Sequence, residues 1–163
     1  MVEDQFSAEW LIGVMLIVFG LVLWWADRLP EKRAEREFAP RSAVIMGVAQ
    51  AMALQPGVSR SGVTMSAARY LGFSRDAAAR LSFLMSLPII GGAGLYKGFD
   101  VVREGGVPSD MVGAFVWGTI ASGLTGFIAI WGLLRLVRSR GFAPFVIYRV
   151  LAGLLVIAVA AAR

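Results

Sequence analysis

The 163 residues are 58% hydrophobic with a mean hydropathy of +0.71, a composition that excludes an ordinary soluble domain and places the chain in a bilayer. Sixteen Lys and Arg against eleven Asp and Glu give a net charge of +5, but the basic residues fall between apolar runs, so they read as topology signals and not as a nucleic-acid surface. With no His and no Cys, the chain has neither a disulfide framework nor an imidazole to serve as a base. The opening stretch, MVEDQFSAEW, lacks the basic start and small-residue cleavage site of a signal peptide, so insertion is expected to use the spans themselves. Trp10 to Ala26 is uncharged and bracketed by Trp10 and by Trp24-Trp25, as an interfacial aromatic belt would be, and is predicted as the first spanning helix. Residues 27–41, DRLPEKRAEREFAPR, switch to mixed charge and read as a solvated loop.

The next run, Ser42 to Gln55, has 14 residues and as a helix reaches only about 21 Å against a hydrocarbon core of roughly 30 Å. Pro56 removes a backbone donor and disfavours helix at Gln55, and Gly57 tolerates a sharp reversal, so the helix is predicted to break and a second to start near Ser59. Irregular backbone at membrane depth survives only where it is buried in protein or lines a wet cavity. Ser59 is a good N-cap, and Arg60, Ser61 and Thr64 follow in the first turns of a helix whose free N–H groups and dipole favour an anion. Arg60 is the only ionisable residue between Arg41 and Arg69, so its partner is a distant side chain, another chain or a substrate, and a phosphate-like substrate is favoured. The plainer reading, a kinked helix whose hydroxyls satisfy backbone while Arg60 snorkels, is outweighed by the depth of Arg60 beyond the break.

Gly72 is expected to end this second half-helix and Ser74 to cap the next one, which spans over residues 75–97. Pro88 should kink it, Gly91, Gly92 and Gly94 should let neighbours pack closely, and Arg75 and Arg80 should anchor at the interface. Residues 98–109 read as a turn-rich loop, and Asp110 to Leu134 as a span whose Ala114, Gly118, Ser122 and Gly126 form a small-residue packing stripe. Arg135, Arg138 and Arg140 close that span, Pro144 begins a last one over residues 144–162, and Arg149 is read as snorkelling. If residues 42–71 dip in and return, the charged loop shares its face with Arg69, Arg75, Arg135, Arg138 and Arg140, against only Lys97 and Arg103 opposite. The positive-inside rule then puts the loop in the cytoplasm and both termini outside.

The string P-G-x-S-R-S-G-x-T from Pro56 to Thr64, preceded by GVAQAMAL and followed by SRDAAARLSFLMSLP, resembles the undecaprenyl-diphosphatase, or bacitracin-resistance, family. The resemblance runs through essentially the whole chain and corresponds to the C-terminal part of the family's usual length. The expected organisation is therefore one membrane domain over 1–163 with the family's N-terminal part absent. The fold expected is an all-α integral membrane protein with about four spanning helices and one re-entrant broken-helix pair. The resemblance makes this one half of an inverted-repeat architecture. It implies hydrolysis of undecaprenyl diphosphate to the monophosphate and phosphate in the bacterial plasma membrane, recycling the carrier lipid of wall synthesis and conferring bacitracin resistance. In that reading Arg60 clamps the diphosphate, Ser59, Ser61 and Thr64 hydrogen-bond its oxygens, Gly57 and Gly62 admit the backbone, and Gln50 orients a phosphate or stitches helices. Arg60, Ser59 and Thr64 are the catalytic candidates, and Ser61, Gly57, Gly62 and Gln50 the substrate-binding ones.

No metal ligand is expected within the chain. A divalent cation, Mg or Ca, is implied only through the glutamates of the family's N-terminal part, which also carries a serine-rich stretch and a histidine. The partners implied are a polyprenyl diphosphate, membrane lipids, and either that N-terminal half or a second copy, with no nucleic acid. Two alternatives stay open: a polyprenyl-phosphate transporter or flippase, and an inactive fragment or subunit of a split enzyme.

Overall fold

The computed structural model describes residues 2–103 and 105–162, with side chains from Glu9 onward; Met1, Arg163 and Glu104 of the expected 98–109 loop lie outside the described residues. Six α-helices follow in order among the described residues: α1 (Val2–Asp27), α2 (Pro40–Ala51), α3 (Arg60–Tyr70), α4 (Arg75–Arg103), α5 (Val112–Arg140) and α6 (Ala143–Ala161). Four of them, α1, α4, α5 and α6, are long and apolar enough to cross a membrane. The two short ones, α2 and α3, are 12 and 11 residues long and pack against each other, so each reaches less than about 20 Å and neither crosses.

The return of the broken pair to its own side is fixed by backbone hydrogen bonds. Lys32 and Arg33, just before α2, donate their N–H groups to the Gly72 carbonyl at 2.9 Å, and Ser74 N–H donates to Arg33 O at 3.1 Å. The chain therefore enters and leaves at one face. Arg69, at the end of α3, is 1% exposed and locks the same corner: it donates to Phe73 O at 2.7 Å, to Asp27 O at 3.2 Å and to Leu29 O. Burial depresses its pKa from the ordinary guanidinium value, with Glu31, 3.4 Å away, opposing the shift. Part of the 27–41 loop is thus a clasp on α3, not freely solvated chain.

α3 is the central element, touching α1, α2 and α4. Its residues Gly62 to Ser66 and Ala68 are buried, as are Ala77, Ala78 and Ala79 at the start of α4, the helix that packs on it. The most extensive packing is between α1 and α6, where Gly13 and Gly153 meet. A Cβ on Gly153 would lie 2.7 Å from both Gly13 O and Ile17 Cγ1.

Several boundaries differ from the sequence reading. α4 runs six residues past the expected end, to Arg103, and continues through Pro88, while α5 begins at Val112 and carries on to Arg140. At 29 residues each extends about 44 Å, so the charged ends project beyond the hydrocarbon, where basic side chains are no obstacle to helix. The glycines expected to pack tightly, Gly91, Gly92, Gly94, Gly118 and Gly126, have no neighbouring atom within 4 Å of where a Cβ would lie, because the outer halves of α4 and α5 splay away from the rest of the chain. The small-residue contact is at Gly13 and Gly153 instead. Gly153→Leu is accordingly expected to cost about 1–3 kcal/mol by overpacking and to lower the thermal midpoint in detergent, whereas Gly118→Leu leaves it unchanged.

Candidate active site at the broken helix

α2 ends at Ala51, a 3₁₀ turn covers Met52–Leu54, and Gln55 to Val58 form the break. Gly57 has φ +89°, a left-handed conformation that favours glycine, and a Cβ there would sit 2.7 Å from Ile12 O of α1. Both the turn and the contact require glycine. Ser59 then caps α3: its Oγ accepts from Gly62 N–H at 3.2 Å and lies 3.3 Å from Ser61 Oγ. Neither Arg60 N–H nor Ser61 N–H meets a backbone acceptor beyond its own helix among the described residues, so two amides at the positive end of α3 are available to a ligand.

Two cavities flank this helix start, and Ser61 lines both. One, of about 510 Å³, lies between α3, α4 and α5 and is lined by Arg60, Ser61, Ser82, Ser86, Leu87 and Ile130. The Arg60 side chain is exposed, and its guanidinium has no ion-pair or hydrogen-bond partner among the described residues. The other cavity, of about 190 Å³, lies between α1, α3 and α6, with Ser59, Ser61, Gly62 and Arg149 at its polar end and Leu23, Met65, Phe142 and Phe145 along its apolar walls.

The structure separates the sequence candidates by position. Arg60, Ser59, Ser61 and Gly62 gather at the start of α3 and line the cavities. Thr64 is fully buried, and its hydroxyl is engaged with Arg60 O at 2.9 Å, Ser61 O at 3.2 Å and Ser82 Oγ at 2.6 Å, so it joins α3 to α4. Gln50 lies on α2 with its Oε1 buried and lacking a hydrogen-bond partner among the described residues, and it lines neither cavity.

Arg149 corrects the sequence reading. It is 5% exposed, donates from Nη2 to Gly57 O at 3.1 Å and from Nε to Leu16 O at 3.4 Å, and so does not snorkel. α6 delivers a second guanidinium to the break, with no carboxylate in its own cavity lining. Arg149 is far from Arg60 in sequence, so the one signal pointing to it is its location inside an apolar span. Ser82 and Ser86, one helical turn apart on α4, likewise reach the Arg60 cavity. Arg75 and Arg80 stay away from the break: Arg75 pairs with Asp27 at 2.5 Å and Arg80 with Asp76 at 3.0 Å.

The fold and this geometry define a multi-pass membrane protein in which a helix start, hydroxyls and two guanidiniums gather at a broken helix. The family described as bacitracin resistance protein BacA matches residues 1–155, and the chain belongs to that family. The undecaprenyl-diphosphatase of Pelotomaculum thermopropionicum is 51% identical over 162 residues, 99% of this chain and 60% of that protein. Those of Geobacter sulfurreducens and Aliivibrio salmonicida are 46% and 44% identical over 164 and 153 residues, covering 99% and 93% of this chain and 61% and 57% of theirs. The chain thus spans about three fifths of the length of the relatives it matches.

Proposed function

We propose that this chain supplies the diphosphate-gripping part of an undecaprenyl-diphosphate phosphatase in the bacterial plasma membrane. The observation that supports this reading best is the unpaired Arg60 beside the free amides at the start of α3, in a family whose relatives carry that activity in their names. Arg60 would hold two phosphoryl oxygens in its planar fork, and the Arg60 and Ser61 amides would take a third, stabilising charge that grows on the transferred group. Ser59 and Ser61 would donate their hydroxyls, Thr64 would hold α3 in register against Ser82, and Gly57 would permit the turn that exposes the amides.

Hydrolysis also needs a base to activate water or a nucleophile. No carboxylate lines either cavity at the break, and the donors there are hydroxyls, amides and guanidiniums. Such a set does not fit a divalent cation, which takes anionic and carbonyl oxygens, and among the described residues no three His, Asp or Glu cluster as ligands. The base, and the ligands of any cation the family uses, would then come from the remaining two fifths of the relatives' length.

The test is phosphate release from undecaprenyl diphosphate in detergent, by the chain alone and with the remaining segment of a relative added. Release only in the mixture is expected. Equal release by the chain alone would overturn the divided-site reading, and lipid transport between the leaflets of proteoliposomes without phosphate release would favour a carrier over a hydrolase.

A further inference from the structure

A third cavity lies beside the Arg60 cavity, toward the arginine-rich end where α4 starts and α5 finishes: Arg80 stands two residues from Ser82, and Trp131 follows Ile130. Its volume is about 590 Å³, and Arg80, Trp131, Leu134, Arg135, Arg138 and Ser139 line it. Three guanidiniums stand there, and two of them share one carboxylate. Asp76 receives Arg138 Nε at 2.6 Å and Arg80 Nε at 3.0 Å, while Arg135 meets no acid among the described residues and stands over the Trp131 ring, 5.5 Å from its centroid. The local balance is therefore two positive charges in excess. The dipoles of the flanking helices do not decide the matter, since the positive start of α4 and the negative end of α5 lie side by side and offset each other.

Charged residues that only fix topology need not share a cavity, and Arg36 and Arg41 on the same face lie exposed outside this one. Here an indole suited to the headgroup level holds one arginine from the side, and the α5 surface leading away from it is bare and apolar, with Leu124, Phe127 and Ile128 all more than 60% exposed. A phosphate in the cavity and acyl chains along that surface would satisfy both ends of the feature. We propose that this cavity is a binding site for one anionic phospholipid, its headgroup phosphate held by Arg135 and Arg138 and its chains lying on α5, next to the Arg60 cavity but with no lining residue in common with it.

The test is native mass spectrometry of the chain released from nonionic micelles containing equal phosphatidylglycerol and phosphatidylethanolamine. One retained phosphatidylglycerol is expected. Each arginine should contribute about fivefold, so Arg135→Gln lowers retention about fivefold and Arg135→Gln/Arg138→Gln about 25-fold. Arg36→Gln/Arg41→Gln, which removes the same charge elsewhere on that face, should leave retention unchanged. Arg135→Gln breaks no ion pair, so its effect does not depend on the Asp76 network surviving the change. Equal retention of the two lipids, an equal fall in the Arg36 and Arg41 variant, or no fall with Arg135→Gln would overturn the assignment. Displacement of the lipid by millimolar inorganic phosphate would overturn it as well, by making the cavity a site for the free ion.

Discussion

Arg60→Lys in the phosphate-releasing preparation should lower turnover by about 10²-fold or more. The substitution keeps the charge but replaces a rigid fork of donors with a compact ammonium, which cannot grip two oxygens of one phosphoryl group in a plane. Nothing else is disturbed, because the Arg60 side chain is exposed to its cavity and takes part in no ion pair or hydrogen bond among the described residues. Stability should therefore stay within about 0.5 kcal/mol of the parent, as for an exposed residue without structural partners. Arg60→Ala should lose both turnover and affinity for an uncleavable diphosphate lipid. Unchanged turnover in the lysine variant, read from phosphate release, would remove the clamp from the account.

Arg149→Met should also lose activity, by about tenfold or more, with little loss of stability. A nearly buried guanidinium bonded to the two backbone carbonyls of Leu16 and Gly57 is costly to keep, since the carbonyls offset only part of its desolvation. Methionine fills similar space without that cost. What disappears is the hold on Gly57 O and the second positive charge behind Ser59 and Ser61. Because Arg149 acts on the loop that presents the amides, the variant should lower kcat more than it raises KM, and Arg149→Lys should restore part of the loss. A steep fall in the thermal midpoint with unchanged activity per folded molecule would instead make Arg149 a structural pin.

The contrast between these two arginines shows how far the sequence alone reaches. Arg60 is legible because its chemistry is local: a proline and a glycine break the helix, a serine caps the next, and the arginine follows in the first turn. The four spans and the re-entrant pair are legible for a similar reason, since lengths of apolar runs and the charge between them fix what can cross. Arg149 escapes a sequence reading because its partners, Leu16 and Gly57, lie on other elements and are reached only through the packing of α6 on α1. The same holds for Gly13 and Gly153, whose contact joins opposite ends of the chain, and for Thr64, which looks free in the motif but is spent on Ser82. The glycines of α4 and the small stripe of α5 carry a packing signal with no partner among the described residues, as periodicity alone does not say which surface is covered.

Binding of a methylene-bridged, uncleavable polyprenyl diphosphonate by the chain alone tests the central claim most directly, because it needs neither base nor metal. The parent should retain the lipid in detergent, Arg60→Ala should retain at least tenfold less, and Arg103→Ala, at a distant exposed arginine, should match the parent. Equal retention by all three would contradict the assignment of the broken helix as the diphosphate site.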